Sequence, residues 1–202
     1  MRRNSQETRK RILQAVGRLL ARSGFRDVGI NSIAHEAGVD KVLIYRYFGG
    51  LPELLRAYAE EGDFWPSTAE LLGTARELGA QTEVEMAAAL LIAFGRALRR
   101  RPITQEIMRW ELLEQNALTD TLAHYREEQA RELIGSFAGS GIDVEALSSL
   151  LAAGQTYLIL RAKTVDVYSG LELRKDKDWA RLEQAIALVL KAVWEQRSAG
   201  RV

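Results

Sequence analysis

A chain of 202 residues, 47% hydrophobic and 27% charged, can bury a sizeable core and is neither disordered nor collagen-like in composition. Its lack of cysteine excludes a disulfide framework and thiolate metal sites, and suits a reducing cytoplasm. The net charge of +1 conceals an asymmetry: residues 1–50 hold ten Lys and Arg against four acids, and the remainder holds 18 against 23. A head of +6 on a body of −5 suits a protein that sets one end on a polyanion, although a charge run alone is as readily a solvated helix face.

In chain order, the first predicted helix is Glu7–Arg22, with Ile12, Leu13, Val16, Leu19 and Leu20 on one stripe and arginines opposite. Ser23-Gly24 ends it. Between Ile30 and Phe48 two short helices flank Ala37-Gly38, where the chain must reverse and a positive φ favours glycine. Asp40 suits the cap of a helix beginning at Lys41. Ile33, Ala34 and Ala37 share a core with Val39, Ile44 and Phe48, so Lys41, Val42, Tyr45 and Arg46 point away from it. This is helix-turn-helix geometry, with the second helix free to enter a DNA major groove.

After Gly49-Gly50 a fourth helix starts at Leu51-Pro52 and carries Leu54, Leu55 and Tyr58 on its apolar face. Further helices are expected over Leu71–Leu78, Glu83–Arg100, Ile103–Glu114, Leu118–Phe137, Val144–Tyr168 and Trp179–Gln196. Pro102, Gly139-Ser140-Gly141 and the polar stretch Ser169–Asp178 punctuate them. No window alternates convincingly with period two, so the expected fold class is all-α with about nine helices. No apolar run reaches the roughly 20 residues a membrane helix needs, and no apolar signal core follows the basic N-terminus. The expected location is cytoplasmic, with no membrane partner.

The segment Glu7–Leu55 resembles the DNA-binding domain of TetR-family transcriptional regulators. The matching landmarks are Ile12-Leu13, Gly24-Phe25, Ile33-Ala34, Ala37-Gly38-Val39, Tyr45, Tyr47-Phe48 and Leu54-Leu55, in order and at the right spacing. The resemblance covers about a quarter of the chain. It implies a three-helix head over 1–50 and a larger helical effector-binding and dimerisation domain over 51–202. It also implies DNA contacts from Asn31, Lys41, Val42, Tyr45, Arg46 and Tyr47. The physical reading agrees. Lys41 opens the recognition helix, where side chains reach base edges, and the tyrosine hydroxyls can donate to phosphate oxygens. Tyr47 is also open to a packing role. Arg2 and Arg3 suit an arm along the backbone or minor groove. Three departures stand out: Gly29-Ile30 and Leu43 replace the usual Ser or Thr, and Leu51-Pro52 replaces the usual Lys and acid. Fewer phosphate donors imply a shallower salt dependence.

The resemblance further implies that the last two helices pair with their copies in a homodimer, with Leu151, Leu158, Ile186 and Leu190 as candidate interface residues. Closure of the monomer's own core is the alternative. A pocket for an unknown small-molecule effector, apolar or aromatic, is expected from Phe64, Trp65, Phe94, Met108, Trp110 and Tyr125 as a group, although such side chains are singly more often plain core. The family's effector acts by shifting the fourth helix, which requires different affinity for the two states. Enzyme chemistry has no foothold. There is no phosphate loop, no Glu-x-x-His pair, no Gly-x-Ser-x-Gly, and only His35 and His124, so no metal and no cofactor are expected. The expected function is a sequence-specific, dimeric repressor of a palindromic duplex operator, released by its ligand. The alternative is a helical ligand-binding or adaptor protein whose head has lost DNA affinity.

Overall fold

Helical periodicity in the sequence gives helix nearly everywhere in the computed structural model, which describes residues 2–199, with side chains from Ser5 onward. The described residues form ten α-helices against about nine expected: α1 Arg2–Ser23, α2 Ile30–Ala37, α3 Lys41–Phe48, α4 Leu51–Glu61, α5 Thr68–Glu77, α6 Glu83–Arg99, α7 Pro102–Glu111, α8 Ala117–Gly135, α9 Val144–Arg161 and α10 Asp176–Ser198. They make two compact units. One holds the chain up to Trp65 together with Arg101–Glu128, and the other holds Pro66–Arg100 and the chain from Gln129. The unit that contains residues 1–50 thus also takes in α4, α7 and the first turns of α8.

In the first unit the predicted stripe of α1 is the core. Ile12, Val16 and Leu20 are fully buried with Ile33, Ile44, Leu54, Leu55 and Ile107, and Phe64 and Leu122 close the cluster. Each such side chain contributes about 1.5–3 kcal/mol on leaving water. The turn between α2 and α3 follows from Gly38. At φ 63° it lets its own N–H reach the His35 carbonyl at 3.1 Å and the Val39 N–H reach Ala34 at 3.0 Å. These two bonds satisfy carbonyls a helix end otherwise leaves open. Asp40 then accepts the Val42 N–H at 2.8 Å, the expected cap.

The second unit is built on α6, whose buried Ala87, Ala88, Ala89, Ala93 and Ala97 pack in one cluster with Leu71, Phe137, Val144, Ile186, Leu190 and Trp194. Arg96 grips Glu183 through two bonds of 2.8 and 2.6 Å, joining α6 to α10. Two expectations are corrected here. The helix expected over Val144–Tyr168 ends at Arg161, and Val167–Tyr168 and Leu171–Glu172 form an antiparallel hairpin, β1 and β2. Thr164, Val165 and Val167 are β-branched and disfavour helix, while Ser169 (φ 48°) and Gly170 (φ 82°) supply the two left-handed positions a tight hairpin turn needs. The final helix begins at Asp176, three residues before the expected Trp179. The Glu172 N–H donates to Asp178 at 2.8 Å and the Trp179 indole donates to the Leu173 carbonyl at 2.8 Å, so the hairpin leads directly into it.

Candidate nucleic-acid interface

The recognition helix is held by one face and offered by the other. Ile44 and Phe48 anchor α3 in the core of the first unit, and a half-turn away Lys41, Val42, Tyr45 and Arg46 face solvent. Val42 is 63% and Tyr45 53% exposed. Among the described residues Lys41 and Arg46 make no ion pair, so both charges are available. Asn31 is exposed on the first turn of α2. Tyr47 differs from the other five expected contacts: it is half-buried against the core, and its carbonyl accepts from Arg9 at 3.1 Å. The side chains of Arg2 and Arg3 lie outside the described residues.

The three departures from the family pattern have physical accounts. Gly29 cannot cap α2 with a side chain, but Ser32 reaches back, accepting the Gly29 N–H at 3.0 Å and donating to the Asp27 carbonyl at 2.6 Å. That is the half of a capping box that needs no side chain at the cap, and Ser32 three residues after Gly29 was its sequence signal. Leu43 is half-buried and Leu51 packs on the core. At the start of α4 the Glu53 carboxylate folds back over Gly50, 3.0 Å from where a Cβ on that glycine would sit. A negative charge therefore already occupies the positive end of α4.

The basic surplus of the head is mostly consumed within the first unit. Arg9 forks onto Glu61 at 3.0 and 2.6 Å, Arg18 and Arg22 share Glu36 at 2.8 and 3.1 Å, and Arg26 approaches Glu114 at 3.7 Å. Arg11 donates to the Ala37 and Gly38 carbonyls at 2.7 and 3.1 Å. Hydrogen bonds from Arg18 and Arg22 hold the Glu36 carboxyl below its usual range, and one from Arg9 does the same for Glu61. Of the basic residues of this region with described side chains, Lys10, Lys41 and Arg46 are the ones left unengaged.

A helix-turn-helix whose second helix presents unpaired cations is a DNA-reading arrangement, and the comparisons agree. Residues 12–58 match the family profile described as bacterial regulatory proteins, tetR family. The head belongs to the TetR family. Solved structures extend the likeness to the whole chain at the level of fold. A TetR family transcription regulator from Marinobacter aquaeolei VT8 aligns with a TM-score of 0.62 at 17% identity, over 96% of this chain and 97% of that one. The fatty acid degradation regulator FadR from Bacillus halodurans gives 0.60 at 18%, over 89% and 96%. A transcriptional regulator from Aquifex aeolicus VF5 gives 0.60 at 20%, over 92% and 99%. No curated protein matches the sequence. The chain thus has the all-α fold of TetR-family DNA-binding transcription regulators.

Behind this TetR-family head the other expected sites are distributed as follows. Phe64, Trp65, Trp110 and Tyr125 pack in or against the core of the first unit, whereas Phe94 packs in the second. Met108 is half-buried on α7. Trp110 covers Gly24 and donates to the Ala21 carbonyl at 3.4 Å, a structural role. Arg126 stacks within 6 Å of both Phe64 and Trp65, at 5.8 and 5.6 Å, while forking onto Glu111. Burial raises the Glu111 carboxyl above its usual range despite that partner. Of the expected interface residues, Leu151 packs partly on the core of the second unit, Leu158 is half-buried, and Ile186 and Leu190 are inside that core. The apolar side chains left open on the same helices are Leu150, Tyr157, Leu188 and Val189. Among the described residues no group of three or more His, Cys, Asp or Glu can hold a metal, and no helix is long and apolar enough to cross a membrane.

Proposed function

We propose that the chain acts as a homodimeric repressor that reads a palindromic duplex operator with α3 and is released by an apolar or aromatic small molecule. The exposed quartet Lys41, Val42, Tyr45 and Arg46 on a buried helix carries this reading. Lys41 and Arg46 suit guanine edges or phosphates, Val42 suits an apolar base edge, and the Tyr45 hydroxyl suits a phosphate. Asn31 adds a polar group at the start of α2, and Tyr47 contributes through packing. The functional division proposed remains a DNA-binding part over 1–50 and an effector-binding and dimerisation part over 51–202.

Dimerisation is supported by Leu150 and Leu188, 72% and 68% exposed, with Tyr157 and Val189 on the same two helices. Their exposure favours a contact through these residues over one through the buried Ile186 and Leu190. A two-fold pair is what sets two recognition helices about one duplex turn apart. For the effector, the partly buried rings of Trp65, Trp110 and Tyr125 in the first unit favour an apolar or aromatic molecule.

A second reading, a ligand-binding or adaptor protein with a weakened head, is favoured by Glu53 at the positive end of α4 and by the apolar Leu43 and Leu51. The two separate on one experiment. On a duplex enriched from a random library, Lys41→Ala and Tyr45→Phe are expected to weaken binding while gel filtration shows the dimer intact. Unchanged affinity in both variants would remove α3 from the interface.

A further inference from the structure

Two arginines of α1 grip the helix-turn-helix from behind, one at the C-terminus of α2 and one at the C-terminus of α3. Arg11 donates one guanidinium nitrogen to the last carbonyls before the turn, Ala37 at 2.7 Å and Gly38 at 3.1 Å. Arg9 holds the other end. It donates to the Tyr47 carbonyl at 3.1 Å, lies 4.4 Å from the centre of the Phe48 ring, and forks onto Glu61 in the last turn of α4. The residues held close α2 ahead of the turn and close α3 at its far end. A cation at a helix C-terminus is favoured by the open carbonyls there, so both contacts are electrostatically well placed. The ion pair is half exposed, with side-chain exposures of 32% and 47%. Pairs of that kind contribute little to stability, so their consequence is orientation.

We propose that Arg9 and Arg11 are positioning residues for DNA recognition: they fix the tilt and register of α3 against α1 and α4, and they do not contact phosphate. This rests on the DNA-binding reading above. It opposes the simplest view of a basic α1, that its charges bind the DNA backbone. The two views differ in salt dependence. A lost phosphate contact lowers the slope of log affinity against log salt by about 0.9. Loss of a positioning contact leaves the slope and instead lowers the ratio of specific to non-specific affinity.

The test uses the full chain carrying Arg9→Lys, Arg11→Met or Arg11→Lys, with Arg9→Met added for the salt dependence, which only loss of the charge can alter. Lysine keeps the charge but lacks the fork that serves a carboxylate and a carbonyl together. Amide hydrogen exchange without DNA is read over residues 38–48 and compared with the buried turns of α1. Faster exchange confined to 38–48 in Arg9→Lys and Arg11→Met, partly restored in Arg11→Lys, is the expected result, and unchanged exchange overturns the proposal whatever the DNA behaviour. On the enriched duplex, specific affinity is expected to fall roughly tenfold with an unchanged slope and unchanged non-specific binding. A slope shallower by about 0.9 makes the arginine a phosphate contact and overturns the proposal. If the unaltered chain binds no duplex, the DNA-binding reading fails, and the exchange arm still decides whether the grip exists. Should a methionine variant not fold, glutamine at the same position carries the salt comparison, and Arg11→Lys and Arg9→Lys carry the exchange comparison.

Discussion

Replacing Glu53 by glutamine should weaken the fold and strengthen DNA binding at the same time. The Glu53 carboxylate lies in the first turn of α4, folded back over Gly50, where the helix leaves its N–H groups open. An anion at a helix N-terminus stabilises by roughly 0.3–1 kcal/mol, and Glu53→Gln removes that charge without changing the side-chain length. The same helix end is a natural seat for a DNA phosphate, and two anions cannot share it. Freeing it returns the same roughly 0.3–1 kcal/mol to the complex, a gain of about two- to fivefold in affinity. Urea unfolding of the free chain should show the midpoint fall, while fluorescence anisotropy on the enriched duplex shows the dissociation constant fall. If phosphate takes the seat, the salt slope steepens by about 0.9. Weaker operator binding by Glu53→Gln would refute the reasoning, since the carboxylate would then be supporting the interface.

Three further outcomes are expected. The lowered pKa of Glu61 means that the stability it contributes is present above the ordinary carboxylate pKa and lost as pH falls through the folded value. The urea midpoints of the parent and Glu61→Gln should therefore differ above about pH 5 and converge in more acidic solution; a difference growing toward acid would reverse the assignment. Gly95→Ala would set a Cβ 2.2 Å from Gln155 Oε1 and displace the Gln155 bond to the Leu91 carbonyl, at a cost of about 1–3 kcal/mol in thermal unfolding. Combining it with Gln155→Ala should cost clearly less than the sum of the two; strict additivity would deny the clash. Leu150→Asp with Leu188→Asp should give a folded monomer by light scattering that binds the operator far more weakly, whereas an unchanged dimer would move the interface elsewhere.

The helix-turn-helix was legible because its signals are local. Gly38 and Asp40 fix the turn through bonds within six residues, and the α1 stripe follows from periodicity alone. What the sequence hid was which charge meets which. Arg9 finds Glu61 across 52 positions and Arg18 finds Glu36 across 18, and nothing in a charge count separates an arginine engaged internally from one free to meet DNA. The direction of α10 was hidden for another reason. Apolar residues at 186, 188, 189 and 190 lie on two faces, and only packing shows that Ile186 and Leu190 turn inward while Leu188 and Val189 remain exposed. The candidate aromatics look like one group in the sequence because type says nothing of partner, whereas Phe64 and Phe94 belong to different cores. The hairpin was missed because two residues per strand leave no alternation to detect.

The most direct test of the account is selection of duplexes from a random library by the purified chain at two salt concentrations. A dimeric, sequence-specific regulator should enrich a two-fold palindrome whose affinity falls with salt and whose half-sites lie about one helical turn apart. Well-folded protein that enriches no sequence at either salt concentration would contradict that reading.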